Sequence, residues 1–149
     1  AGEFQDLTVH IGREELEFLE RVGAIPWSFG VGGATTSFSN HLAYRVTKLY
    51  RENKNCGLEV GATWPSDINS VRRIAGDMPI LVPGIGAQGR NLDKAVSAAK
   101  DKRGKGFIIS ASRSIIYASS DVDYLEGVRR ETLKLQEAIQ ECLRKGQLT

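Results

Sequence analysis

Cysteine is nearly absent from this chain, which has two in 149 residues, Cys56 and Cys142. Two thiols cannot build a disulfide framework, and these two lack the spacing of a metal site. Both sit in apolar patterns, which predicts buried free thiols and fits a reducing compartment. No apolar run approaches the roughly 20 residues that cross a bilayer. No signal-peptide pattern is visible, although the chain opens Ala1-Gly2-Glu3-Phe4 without an initiator Met. The expectation is a cytoplasmic protein with no membrane partner. Charge of one sign is also lacking: 20 basic residues face 18 acidic ones, for a net charge of +2. The densest basic stretch, Lys100-Asp101-Lys102-Arg103, contains an acid and ends at glycine. It reads as a solvated loop, so no nucleic-acid partner is expected. What remains is ordinary for a globular domain: 41% hydrophobic, 26% charged. The length suits one domain with a core of its own.

From residue 39 onward helix and strand patterns alternate. Ser39 can cap a helix with Leu42, Val46, Leu49 and Tyr50 on its apolar face, broken at 53–55. Residues 57–63 form a short strand-like run, and Pro65-Ser66 begins a helix that Gly76 stops. The run 79–82 is a second strand, whose unbroken apolar character predicts cover on both faces. Asn91 caps a helix carrying Leu92, Ala95, Val96 and Ala99. A third strand spans 106–111. The last helix runs from about Asp121 to Lys145, with a stripe of Leu125, Val128, Thr132, Leu135, Ile139 and Cys142, and Gly146 ends it. The first 38 residues are less regular. Glu14 to Val22 reads as a short helix with Leu16, Leu19 and Val22 inward, and the glycine-rich 30–36 reads as a mobile loop.

Three strands, each followed by a helix, predict an α/β fold with a parallel sheet. An open doubly wound sheet and an arc of a TIM (β/α)8 barrel both fit, and the barrel requires strands beyond these three.

The strongest chemical feature is Val82-Pro83-Gly84-Ile85-Gly86-Ala87-Gln88-Gly89, a G-x-G-x-x-G between a strand and a helix. Glycines there let backbone N–H groups approach an anion, and the next helix start favours negative charge. The plain alternative is a tight turn. A dinucleotide fold would place an acid at the end of the following strand. Here that strand ends Ser110-Ala111-Ser112-Arg113-Ser114, with an arginine, whose planar fork matches phosphate oxygens. Pairing of Arg113 with an acid such as Asp121 is its structural alternative. Two consecutive strand-to-helix loops of this kind form a pair, and in TIM barrels the loops after the seventh and eighth strands build the phosphate site. Glu59, inside an apolar strand, reads as paired with a base between strand and helix. His10 and His41 have no constellation around them in sequence and receive no role. Trp27 and Trp64 read as packing residues.

These residues carry a resemblance. Val60-Gly61-Ala62-Thr63-Trp64-Pro65, Gly76-Asp77-Met78-Pro79, the 81–89 segment and Gly106 to Tyr117 resemble the last three βα units of orotidine 5'-monophosphate decarboxylase. Gly2 to Leu7 is similar to the segment after that family's fifth strand. The resemblance implies one domain, residues 1–149, forming the C-terminal part of a TIM barrel, with 8–38 an insertion or irregular connection. It implies cofactor-free conversion of orotidine monophosphate (OMP) to UMP and CO2, a lyase reaction of pyrimidine synthesis, in a homodimer. By that resemblance Gln88 and Arg113 hold the substrate phosphate, backbone at Gly89 and Ser112 assists, and Pro83 lies near pyrimidine and ribose.

The chain departs from the family in one decisive respect. The family's chemistry rests on an Asp-x-Lys-x-x-Asp motif, and these 149 residues contain none. No catalytic residue is therefore assigned, and no metal ligand. Two other readings stay open: a non-catalytic phosphate-binding partial barrel that oligomerises to bury its edges, and a dinucleotide-binding oxidoreductase.

Overall fold

The computed structural model describes residues 7–24, 27–30, 33–85 and 92–145. In chain order the elements are β1 (Thr8–His10), α1 (Arg13–Val22), β2 (Trp27–Gly30), β3 (Gly33–Ser37), α2 (Phe38–Asn53) and β4 (Leu58–Glu59). They continue with α3 (Pro65–Ala75), β5 (Ile80–Pro83), α4 (Leu92–Ala99), β6 (Phe107–Ser110), α5 (Arg113–Ile116) and α6 (Tyr124–Lys145). Strands β4, β5 and β6 form one parallel sheet in that order. Each is followed by a helix, as the alternating pattern predicts.

The core lies between this sheet and its helices. Ile80 and Val82 of β5 are buried against Ile68, Val71, Ile74, Ala95 and Ala99. Their neighbours Leu81 and Pro83 are only half-buried. The apolar run of β5 therefore does not mean cover on both faces. The helices shield one face, and Ile108 on β6, in register with Leu81, stays 60% exposed on the other.

Gly30 and residues 33–36, expected within a mobile loop, are strand. β3 pairs antiparallel with both β1 and β2, in register Gly30↔Gly33 and Thr8↔Ser37, so it is the central strand of a second small sheet. Ala34 and Thr36 alternate inward along β3, the period-2 pattern of a half-buried strand. Gly33 has φ +102, which side-chain-bearing residues rarely adopt. Val31 and Gly32 lie outside the described residues.

Helix faces also differ from expectation. Ser37, not Ser39, caps α2, its hydroxyl accepting from the Asn40 N–H at 3.3 Å. The buried face of α2 is Asn40, Ala43, Tyr44 and Thr47, whereas Leu42 and Leu49 are exposed. Asn40 tolerates burial because its Oδ1 accepts from the Ser70 hydroxyl at 2.9 Å. On α1 the buried residues are Glu15, Phe18 and Leu19, with Leu16 and Val22 half-buried. Gly23 closes α1 in the left-handed region, as its sequence position predicts. On α6 Leu125 and Thr132 face solvent, while Val128, Leu135, Ile139 and Cys142 form a half-buried stripe. α6 packs on α4 and α5. Cys56 and Cys142 are both free and half-buried rather than buried. The expected caps at Asn91 and Gly146 lie outside the described residues. Among the described residues no helix is long and apolar enough to cross a membrane.

Arg72 holds the N-terminal end of the parallel sheet. Its Nε donates to Ala99 O at 2.6 Å, its Nη1 to Gly76 O at 3.0 Å and Met78 O at 2.8 Å, and its Nη2 to Gly106 O. Burial pushes this guanidinium below its ordinary pKa, against the opposing charges of Asp101 and Asp77. Asp101 is itself buried, so 100–103 is not a simple solvated loop. Its carboxylate accepts the backbone N–H groups of Arg103 and Lys105, each at 2.8 Å, and ion-pairs with Arg103. These contacts fix the turn that delivers β6 to Arg72.

Candidate site at the C-terminal edge of the parallel sheet

Pro83 and Ser110 end β5 and β6 and stand opposite each other in the ladder. The chain leaves both strands at the same edge, so the turns after them begin side by side. That is the place where open and closed parallel sheets carry ligands. Pro83 is half-buried, Gly84 follows with φ +89, and Ile85 is buried beneath the turn. The positive φ at Gly84 is a backbone conformation that favours glycine. Gln88 and Gly89, the predicted amide grip, lie outside the described residues.

On the neighbouring turn, Ser112 and Arg113 are exposed. They do not form a loop: Arg113 opens the four-residue helix α5, with Ser112 as its N-cap residue. Ser112 O accepts from the Ile115 and Ile116 N–H groups, leaving the first-turn amides of Arg113 and Ser114 without intrahelical acceptors. Arg113 makes no ion pair with a described residue, Asp121 included. Of the predicted residues, then, Pro83, Ser112 and Arg113 gather at one edge of one sheet. Among the described residues there is no group of three His, Cys, Asp or Glu able to hold a metal.

Three side chains depart from their sequence readings. His41 has a partner after all: its Nδ1 lies 2.9 and 3.0 Å from the two carboxylate oxygens of Glu15. The pair clamps α1 to α2, beside a Lys48–Glu14 bridge of 2.8 Å. Residues 26 apart on separate helices leave no local signal of this contact. Glu59 is exposed and makes no ion pair or hydrogen bond with a described residue. It lies on the sheet face away from the helices, because Leu58 and Val60 take the core-facing positions. Trp64 is half-exposed, lining an apolar groove of about 390 Å³ along the free edge of β4 with Phe38, Leu42, Leu58, Val60 and Val71.

Sequence comparison decides the kinship. Orotidine 5'-phosphate decarboxylase of Janthinobacterium sp. (strain Marseille) is 38% identical over 116 residues, 72% of this chain and 43% of that enzyme. The enzyme of Aromatoleum aromaticum is 38% identical over 132 residues, 89% of this chain and 45% of its own length. The chain is a relative of the orotidine 5'-phosphate decarboxylases. It spans less than half the length of the curated decarboxylases it matches. The fold agrees: OMP decarboxylase of Leishmania donovani superposes with a TM-score of 0.61 at 30% identity, over 72% of this chain and 39% of that one. No protein-family model matches.

Proposed function

We propose that this chain is the phosphate-gripping part of an orotidine 5'-monophosphate decarboxylase, folded as an arc of a TIM barrel. The reading is supported by kinship and by one geometric observation: the Pro83↔Ser110 register brings together the strand ends from which the glycine turn and the Arg113 turn start. Arg113, with no acid of its own among the described residues, supplies a bidentate fork for a phosphate dianion. Gln88 and the backbone at Gly89 and Ser112 complete the grip, and Pro83 borders the nucleoside. Homodimerisation, a cytoplasmic location and the absence of a cofactor belong to the same reading.

The role of such a grip is differential binding. The phosphate is remote from the bond that breaks, so its binding energy accelerates decarboxylation only where it organises the site in the transition state. These 149 residues carry no Asp-x-Lys-x-x-Asp to protonate the carbanion left by CO2. The chain alone should therefore bind UMP without turning OMP over. Steady-state UMP formation by the purified 149-residue chain would refute that division of labour.

Calorimetric titration with UMP tests the grip. Arg113→Ala should weaken UMP about 10- to 100-fold, the worth of charge-assisted hydrogen bonds of about 1.5–3 kcal/mol. Uridine, which lacks the phosphate, should be unaffected. Equal affinity of wild type and variant for UMP removes Arg113 from the site. The second reading, a non-catalytic half-barrel that self-associates, draws on the open β6 edge and exposed Ile108. It predicts a concentration-dependent oligomer that a complementing decarboxylase segment does not dissociate. An NAD titration separates the oxidoreductase alternative.

A further inference from the structure

The parallel sheet has one covered face and one open face. On the open face Glu59, Leu81 and Ile108 form a row, because Glu59 pairs in register with Leu81 and Leu81 with Ile108. Two members are aliphatic and the third is a carboxylate. Glu59 lies on the edge strand β4, and the pairing with β5 continues past it through Val60 N–H to Leu81 O at 2.9 Å and Ala62 N–H to Pro83 O at 2.9 Å. It has neither an ion-pair partner nor a hydrogen bond among the described residues. The groove beside it offers Asp67 and no basic side chain.

We infer that Glu59 is one half of an ion pair whose cation, a lysine or arginine, lies on the segment that covers this open face. The inference rests on the partial-barrel reading, and the argument for the occupant is length. The matched decarboxylases extend well beyond the 43 to 45% that this chain spans, so a larger remainder is available to cover the face. Covering the row removes water from the Glu59 carboxylate. A buried carboxylate without a partner is strongly destabilising, whereas one paired in good geometry is retained. The aliphatic neighbours Leu81 and Ile108 offer no donor, and no described residue supplies a cation, so the partner is assigned to the covering segment.

The probe is the part of the Janthinobacterium decarboxylase outside its matched 43%, expressed as a separate polypeptide and titrated onto the 149-residue chain. Wild type should bind it. Glu59→Gln should weaken binding about 100-fold or more, because it strands the facing cation. Glu59→Asp should recover part of the loss. The isolated Glu59→Gln chain should melt like wild type, since Glu59 has no partner among the described residues, which separates an interface effect from misfolding. If wild type binds while Glu59→Gln or Glu59→Leu binds equally or more tightly, the ion pair is overturned and the barrel reading stands. If wild type fails to bind, the barrel reading falls and the ion pair falls with it.

Discussion

Replacing Arg72 with methionine should cost this chain about 3 kcal/mol of folding stability. The methionine keeps most of the volume but leaves four carbonyls, of Ala99, Gly76, Met78 and Gly106, without their shared donor. The bonds to Ala99 O and Met78 O are fully buried, and water cannot replace them there. Each buried orphan costs about 1–3 kcal/mol. The bonds to Gly76 O and Gly106 O are partly solvated and add less. Relief of the guanidinium's own desolvation offsets part of the total, which sets the figure near the low end. For a chain of this size about 3 kcal/mol lowers the melting temperature by roughly 6–12 °C. Arg72→Lys should recover only part of this, because an ammonium lacks the planar fork that reaches several carbonyls at once. Thermal melts and urea titrations of the three proteins give the comparison. A loss below about 1 kcal/mol for Arg72→Met, or full recovery by lysine, refutes the claim that this fork ties the sheet ends together.

Further expectations follow from other contacts. Burial by itself raises the Asp101 carboxyl, but the N–H groups of Lys105 and Arg103 and the Arg103 guanidinium together hold it below the ordinary carboxylate value. Its stabilising contribution is thus fully present above the unfolded carboxylate pKa, about 4, and is lost as pH falls through the lowered folded value. Asp101→Asn should be less stable than wild type at neutral pH, and the gap should close in urea titrations carried down through that range; a constant gap refutes the assignment. Desolvation, and then the neighbouring Asp93 carboxylate 2.7 Å from Sγ, push the Cys142 thiol up to about 11. At pH near 8 its alkylation by iodoacetamide should be about 100-fold slower than that of an unperturbed thiol, and Asp93→Asn should speed it. For the Glu15–His41 clamp, a double-mutant cycle with Glu15→Gln and His41→Ala should return a coupling of about 1 kcal/mol; additive losses would show that the two side chains do not act together.

Order and type of the βα units were legible in the residues themselves. Apolar spacing, Gly76 and the two strand-to-helix turns are local signals, and local geometry answers to them. The pairing of Pro83 with Ser110, which brings together the strand ends from which the two turns start, follows from consecutive parallel strands and was foreseeable in kind. The face each helix buries was not. Leu42, Leu49 and Leu125 are apolar enough to face inward, yet exposure depends on which neighbours are present. Among the described residues, one face of the sheet and one side of α6 have none. Gly30 and residues 33–36 were misread because glycine spacing suits a hairpin as well as a loop, and only pairing with β1 and β2 distinguishes them. The Glu15–His41 contact and the Arg72 bonds to Ala99 and Gly106 join positions 26 to 34 residues apart, and no local pattern encodes them. By itself, then, the sequence determined the βα units of the parallel sheet and the kinship, because both are written in short segments. Tertiary structure alone decided which polar groups are buried, what they bond and which face remains open, because those depend on contacts between segments distant along the chain.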